Sequence, residues 1–170
     1  MIQPPVRRGP RRSKWRHGID HRLDSIPRHR SALRQSMAFF GDDFDLEVFV
    51  AAYESDDPAT INAATAVEGS FGHVVNWLKQ IADFGYHELL RLGHIEKSEA
   101  RPIDGLVAAR ILPVSDRDRL MALVQLRNRL QHDYPEVAPE EIHDAVLRTL
   151  ELLPGLLGRY GQMLKRIDAE

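Results

Sequence analysis

The eight residues RNRLQHDY, at positions 127 to 134, place two guanidiniums, an amide, an imidazole, a carboxylate and a phenol where an apolar pattern of helical spacing stops. Arg127 and His132 are the pair whose types suit a reaction. A histidine near its ordinary pKa of ~6.5 exchanges a proton at neutral pH, so it can accept the proton of a ribose 2′-hydroxyl or supply one to a departing 5′-oxygen. A guanidinium is always charged, and its fork of donors fits the phosphoryl oxygens on which charge builds during phosphodiester cleavage. The chemistry these groups suit is cleavage of RNA, with no cofactor and no metal. On an ideal helix five residues separate them by about 140° around the axis and ~7.5 Å along it. They therefore share a space only if the helix ends between them, with Pro135 as the expected stop, or if they meet across a symmetric dimer. A plainer use exists: a cation at a helix C-terminus is favoured by ~0.3–1 kcal/mol through the helix dipole alone. Spacing by itself does not separate the two.

The elements that must position this stretch are helical. Leu120, Leu123, Val124 and Leu126 continue one helical period into the motif, and Ser115 with Asp118 resembles a capping box that would start that helix. Before it, Pro102 opens a short helix that reaches Leu112. A long helix is expected from Pro58 to Leu92, started by the Asp57 cap and the proline behind it and ended by Gly93. Gly69, Gly72 and Gly85 within it predict a kink or a close helix crossing, since each costs up to ~1 kcal/mol of helix propensity. Ser25, Ile26 and Pro27 predict a first helix over about 26–40, and Phe44 to Tyr53 a short second one. The last helix starts near Pro139, with Glu140 and Glu141 at its positive end, and runs towards Leu164, with Pro154 and Gly155 able to bend it. No segment alternates as a strand does. The expected fold is all-α: an antiparallel bundle of four main helices and one or two short ones.

At 170 residues the chain makes about one domain. Its charge is uneven. Residues 1 to 17 hold six Lys or Arg and no acid, whereas the remainder holds 17 bases against 25 acids. This divides the chain into a basic, disordered arm over 1–20 and a helical domain over 21–170; the arm could meet phosphates or simply the acidic body. The absence of an apolar secretory stretch or of 18 successive apolar residues predicts a cytoplasmic protein without a membrane span. With no cysteine, disulfides and thiolate metal sites are excluded. His17, His21 and His29 sit among arginines with no carboxylate or cysteine arranged around them and read as solvated. Asp42, Asp43 and Asp45 read as a turn and a helix cap. Phe71, Trp77 and Phe84 read as core or dimer interface, and His143 as a surface residue.

RNRLQHDY also resembles the R-x4-H-x-Y signature of the HEPN superfamily, and more narrowly that of the HepT-like toxins. The surrounding run LPVSDRDRLMALVQLRNRLQHDYPEVAPEEIHDAVLRTL is similar to that family over its length, and the DPATI start and the helix before GHIEKS fall in the expected order. The resemblance spans roughly residues 22 to 165, although only the signature is specific. It implies a homodimeric helical bundle whose motifs face a shared cleft, acting as an endoribonuclease toxin. Arg127 and His132 would be catalytic and Asn128 would contact or orient the phosphate, whereas Arg129 has no family role and is equally open to a solvated position or to a phosphate-facing, substrate-binding one. Tyr134 would match the tyrosine that a partner nucleotidyltransferase antitoxin modifies with AMP. A second reading is a non-catalytic HEPN-type partner of such a nucleotidyltransferase, holding a nucleotide or the partner at the same residues. A third is a structural domain whose basic arm is the functional part.

Overall fold

The computed structural model describes residues 13–97, 100–132 and 137–169. Six α-helices lie among them: α1 (Lys14–Met37), α2 (Leu46–Ala51), α3 (Pro58–Arg91), α4 (Pro102–Ala108), α5 (Val114–His132) and α6 (Pro139–Asp168), with short 3-10 turns after α1 and α2. There is no strand among the described residues. The four long helices alternate in direction. Trp15 at the start of α1 meets Phe84 and His87 near the end of α3, while His29 meets His73 and Trp77 further back. Arg119 and Arg129 of α5 pair in reverse order with Glu151 and Glu141 of α6. α3 is the central element, packing on α1, α4, α5 and α6. Its stripe Val67, Phe71, Val74, Val75, Leu78 and Ile81 is almost wholly buried, as expected of a helix covered by neighbours.

The start of α3 is where the sequence places it. Asp57 accepts hydrogen bonds from the Thr60 N–H (2.9 Å) and hydroxyl (2.6 Å), and these bonds hold its carboxyl below the usual range. Gly85 marks a close crossing: a Cβ there would lie 2.2 Å from the Met163 sulfur of α6. Beside it Tyr160, fully buried, donates its hydroxyl to the Leu78 carbonyl at 2.7 Å, and burial pushes its phenol up from the usual value. Pro154 lies inside α6 without splitting it.

Three boundaries differ from the sequence reading. α1 starts at Lys14, not near Ile26, so residues 14 to 20 of the basic stretch are helix. Ser13 caps it, accepting from the Arg16 N–H at 3.1 Å and donating to Glu88 of α3, while Ile19, Ile26 and Leu33 bury a continuous stripe. Pro27, read as a start signal, sits mid-helix because that packing outweighs the loss of one backbone bond. α5 begins at Val114, which puts Ser115 inside the first turn rather than at a cap. α4 ends at Ala108; Arg110 then takes a positive φ of 58° and the chain turns into Pro113.

Candidate active site

α5 carries the reactive stretch to the far end of the bundle from the start of α1. On a helix, residues two apart point about 200° from one another, and the two arginines of the motif separate accordingly. Arg127 faces α3. With Leu130 and Gln131 it forms one wall of a groove of about 280 Å³ whose other wall is Gly69, Gly72 and His73. Its aliphatic part passes 3.7 Å from where a Gly72 Cβ would stand, so the missing side chain on α3 makes room for it. Arg129 faces α6, where it is ion-paired and hydrogen-bonded to Glu141 at the mouth of a second groove. That bond holds the Glu141 carboxyl below its usual range.

The polar partners of Arg127 are few. One terminal nitrogen donates to the Asn128 side-chain oxygen at 3.2 Å, and the Nε is buried with no hydrogen-bond partner among the described residues. Two other arginines have a buried nitrogen without a hydrogen bond, yet both face carboxylates: Arg16 pairs with Asp20 and Asp168, and Arg117 with Asp104 and Asp118. Arg127 has no such carboxylate among the described residues. A buried donor left open is costly, and here it sits on the wall of a cavity. Asn128 and His132 are exposed, and His132 is the last residue of α5. The groove walls do not include His132. Tyr134 and Pro135 lie outside the described residues.

The other candidates fall as follows. His143 is half-buried rather than a surface residue: its ring stacks on Phe44 at 4.5 Å, and its Nε2 donates to the Phe44 carbonyl at 2.7 Å. Phe44 has a positive φ of 53°, and this bond helps hold the turn there. Asp45 is the cap of α2, accepting from the Val48 N–H at 2.9 Å. Phe71 is core, whereas Trp77 and Phe84 are half-buried against α1. Among the described residues no three His, Asp or Glu group to hold a metal ion. No helix among them is long and apolar enough to cross a membrane. Sequence reasoning missed His73 and the two glycines beside it as groove residues. The signal was present, since Gly69, Gly72 and His73 share a helical face at spacings of three and four.

An alternating bundle of four long helices, with R-x4-H closing the penultimate one, has the architecture of a helical HEPN-like domain. Residues 80–157 match the family model described as Ribonuclease HepT-like. The match takes in the end of α3, all of α4 and α5, and the larger part of α6; α1 and α2 precede it. No curated protein and no solved structure matches the chain.

Proposed function

We propose that this protein is a ribonuclease toxin: a metal-independent endoribonuclease acting through Arg127 and His132 in the cytoplasm, as one half of a toxin–antitoxin pair. The observation that carries this reading is Arg127 itself. Within the segment that matches a ribonuclease family model, it is a cation with a buried open donor on a groove wall and, among the described residues, no carboxylate paired with it. A phosphodiester anion in the groove would complete it. In the reaction the His132 imidazole takes the proton of the ribose 2′-hydroxyl, and the 2′-oxygen forms a bond to phosphorus. Arg127 stabilises the charge on the non-bridging oxygens, with Asn128 keeping its guanidinium in place. The bond to the 5′-oxygen breaks, and that oxygen leaves with a proton from a general acid, giving a 2′,3′-cyclic phosphate.

His132 stands exposed at the end of α5 and away from the groove walls. This supports a homodimer in which the ends of two α5 helices form one cleft, as an isologous interface allows. Arg129, held by Glu141, would contact substrate only after that pair opens. Silencing follows from the position of Tyr134 two residues beyond His132: AMP placed there by a nucleotidyltransferase antitoxin adds bulk and negative charge where an RNA phosphate must bind. Expression of the native protein should arrest growth while His132→Ala does not, and co-expression of the cognate nucleotidyltransferase should restore growth with AMP on Tyr134 by mass spectrometry. Growth arrest by His132→Ala as strong as by the native protein would overturn the proposal, and no arrest by either would favour the non-catalytic partner.

A further inference from the structure

We propose that the face beside the Arg127 groove, formed by His73, His29 and Trp77, binds the nucleotides flanking the one that Arg127 holds. This rests on the reading of the groove as an RNA-cleaving site and adds to it a track along α3 onto α1.

The track begins where α3 has no side chains. A Cβ at Gly69 would meet nothing within 4 Å, and one at Gly72 would meet only the Arg127 chain, so the helix surface next to Arg127 is open to close approach by a backbone. One turn beyond Gly69 stands His73, which is exposed and lines the same groove. Its ring lies 5.4 Å from that of His29 on α1, and His29 in turn lies edge-on to Trp77 at 4.4 Å, with His21 tilted to the same indole at 5.8 Å. Along α3, Trp77 is ~7.5 Å beyond Gly72. Burial first, then the nearby His73 and Arg28, holds His29 below its ordinary value. Arg28, exposed beside it, supplies a permanent positive charge next to these rings. Among the described residues that line the groove, Glu68 carries a carboxylate, and it accepts the Tyr53 hydroxyl at 2.5 Å. An open floor, donors beyond it and a half-buried indole at the end make a surface for single-stranded RNA, in which phosphates meet donors and a base meets an aromatic ring. The donors and rings come from helices whose facing residues are 44 and 48 positions apart in sequence, so no linear motif reports them.

The test is binding of two uncleavable probes, a 2′-O-methyl pentanucleotide and a 2′-O-methyl dinucleotide, by fluorescence anisotropy. His73→Ala, at an exposed position, should weaken the pentanucleotide about tenfold and leave the dinucleotide unchanged, with His73→Gln restoring part of the loss. Arg127→Ala should weaken both. Unchanged pentanucleotide affinity in His73→Ala, with loss in Arg127→Ala, would overturn the track and leave the groove reading intact. Native-like binding of both probes by Arg127→Ala, or no binding by the native protein, would remove the groove reading and the track together. A change of sedimentation in His73→Ala without a change of affinity would assign the face to a second copy of the chain and also overturn the track.

Discussion

Two stretches of α3, its last turns around Glu88 and its middle around Gly72, meet polar groups of the same kinds and treat them in opposite ways. Around Glu88, which is 2% exposed, every charge is answered: its carboxylate accepts from Arg91 at 2.8 and 3.0 Å and from the Ser13 hydroxyl, and Arg16 nearby faces Asp20 and Asp168. Sixteen residues back along the helix, roughly 24 Å away, Arg127 beside Gly72 has a buried nitrogen with no hydrogen-bond partner among the described residues. The first arrangement locks the start of α1 onto α3. The second leaves a donor waiting for a partner the chain does not supply among its described residues. Buried charge is retained in proteins when it is paired or when it binds something; Glu88 is of the first kind, and the proposal for Arg127 is of the second.

The comparison is broken most sharply at the functional end. Arg127→Ala and His132→Ala should each reduce RNA cleavage by about 10²–10⁴-fold while shifting unfolding stability by less than about 1 kcal/mol. The structural end should respond in the reverse sense. Glu88→Gln removes the charge that holds Arg91 and Ser13 and should cost about 2 kcal/mol in urea unfolding, with the cleavage rate per folded molecule unchanged. Hydrogen bonds from Arg91, the largest cause, and from Ser13 keep the Glu88 carboxyl below its ordinary 4.5. Its contribution is thus fully present above that value and is lost as pH falls through the folded-state pKa. The native protein should lose stability on acidification below about pH 4.5, and the Glu88→Gln curve should be flatter.

Smaller effects sharpen the same contrast. Tyr160→Phe deletes one bond from a fully buried hydroxyl to the Leu78 carbonyl, a carbonyl still used within α3, and should cost about 1 kcal/mol. Arg129→Ala removes an ion pair whose two side chains are 45% and 44% exposed; such pairs contribute roughly 0–1 kcal/mol and are screened by salt. The difference from the native protein should vanish in high salt. A larger, salt-independent loss would mean that Arg129 belongs with the structural set.

How much of this was legible in the sequence depended on whether the deciding contact was local. Asp57 followed by Pro58 located the start of α3 because a cap is made by neighbours within three residues. The apolar period through Leu126 located the motif at the end of α5 for the same reason. α1 was placed twelve residues too late because its start depends on Ser13 reaching Glu88, 75 residues away, and on Ile19 and Ile26 packing against α3. His143 was taken for a surface residue because its partner is the Phe44 carbonyl, 99 residues distant. At the site, residue type and resemblance single out Arg127 and Asn128, whose roles belong to the proposed function. Arg129, open to a solvated or a phosphate-facing position from the sequence, is instead paired with Glu141, a contact 12 residues away that the spacing does not announce. Gly69, Gly72 and His73 share a helical face that the spacing shows, but that this face lies against Arg127 required the α3–α5 packing.

The measurement that tests the account most directly is cleavage of total RNA by purified protein in excess chelator, comparing native, Arg127→Ala and Glu88→Gln, with the product ends analysed and thermal unfolding recorded on the same samples. The account predicts cyclic phosphate ends from the native protein and from Glu88→Gln below its melting temperature, and almost no cleavage by a fully folded Arg127→Ala. Cleavage by Arg127→Ala at the native rate, or its loss only in step with unfolding, would show that the open donor at the end of α5 is not there for RNA.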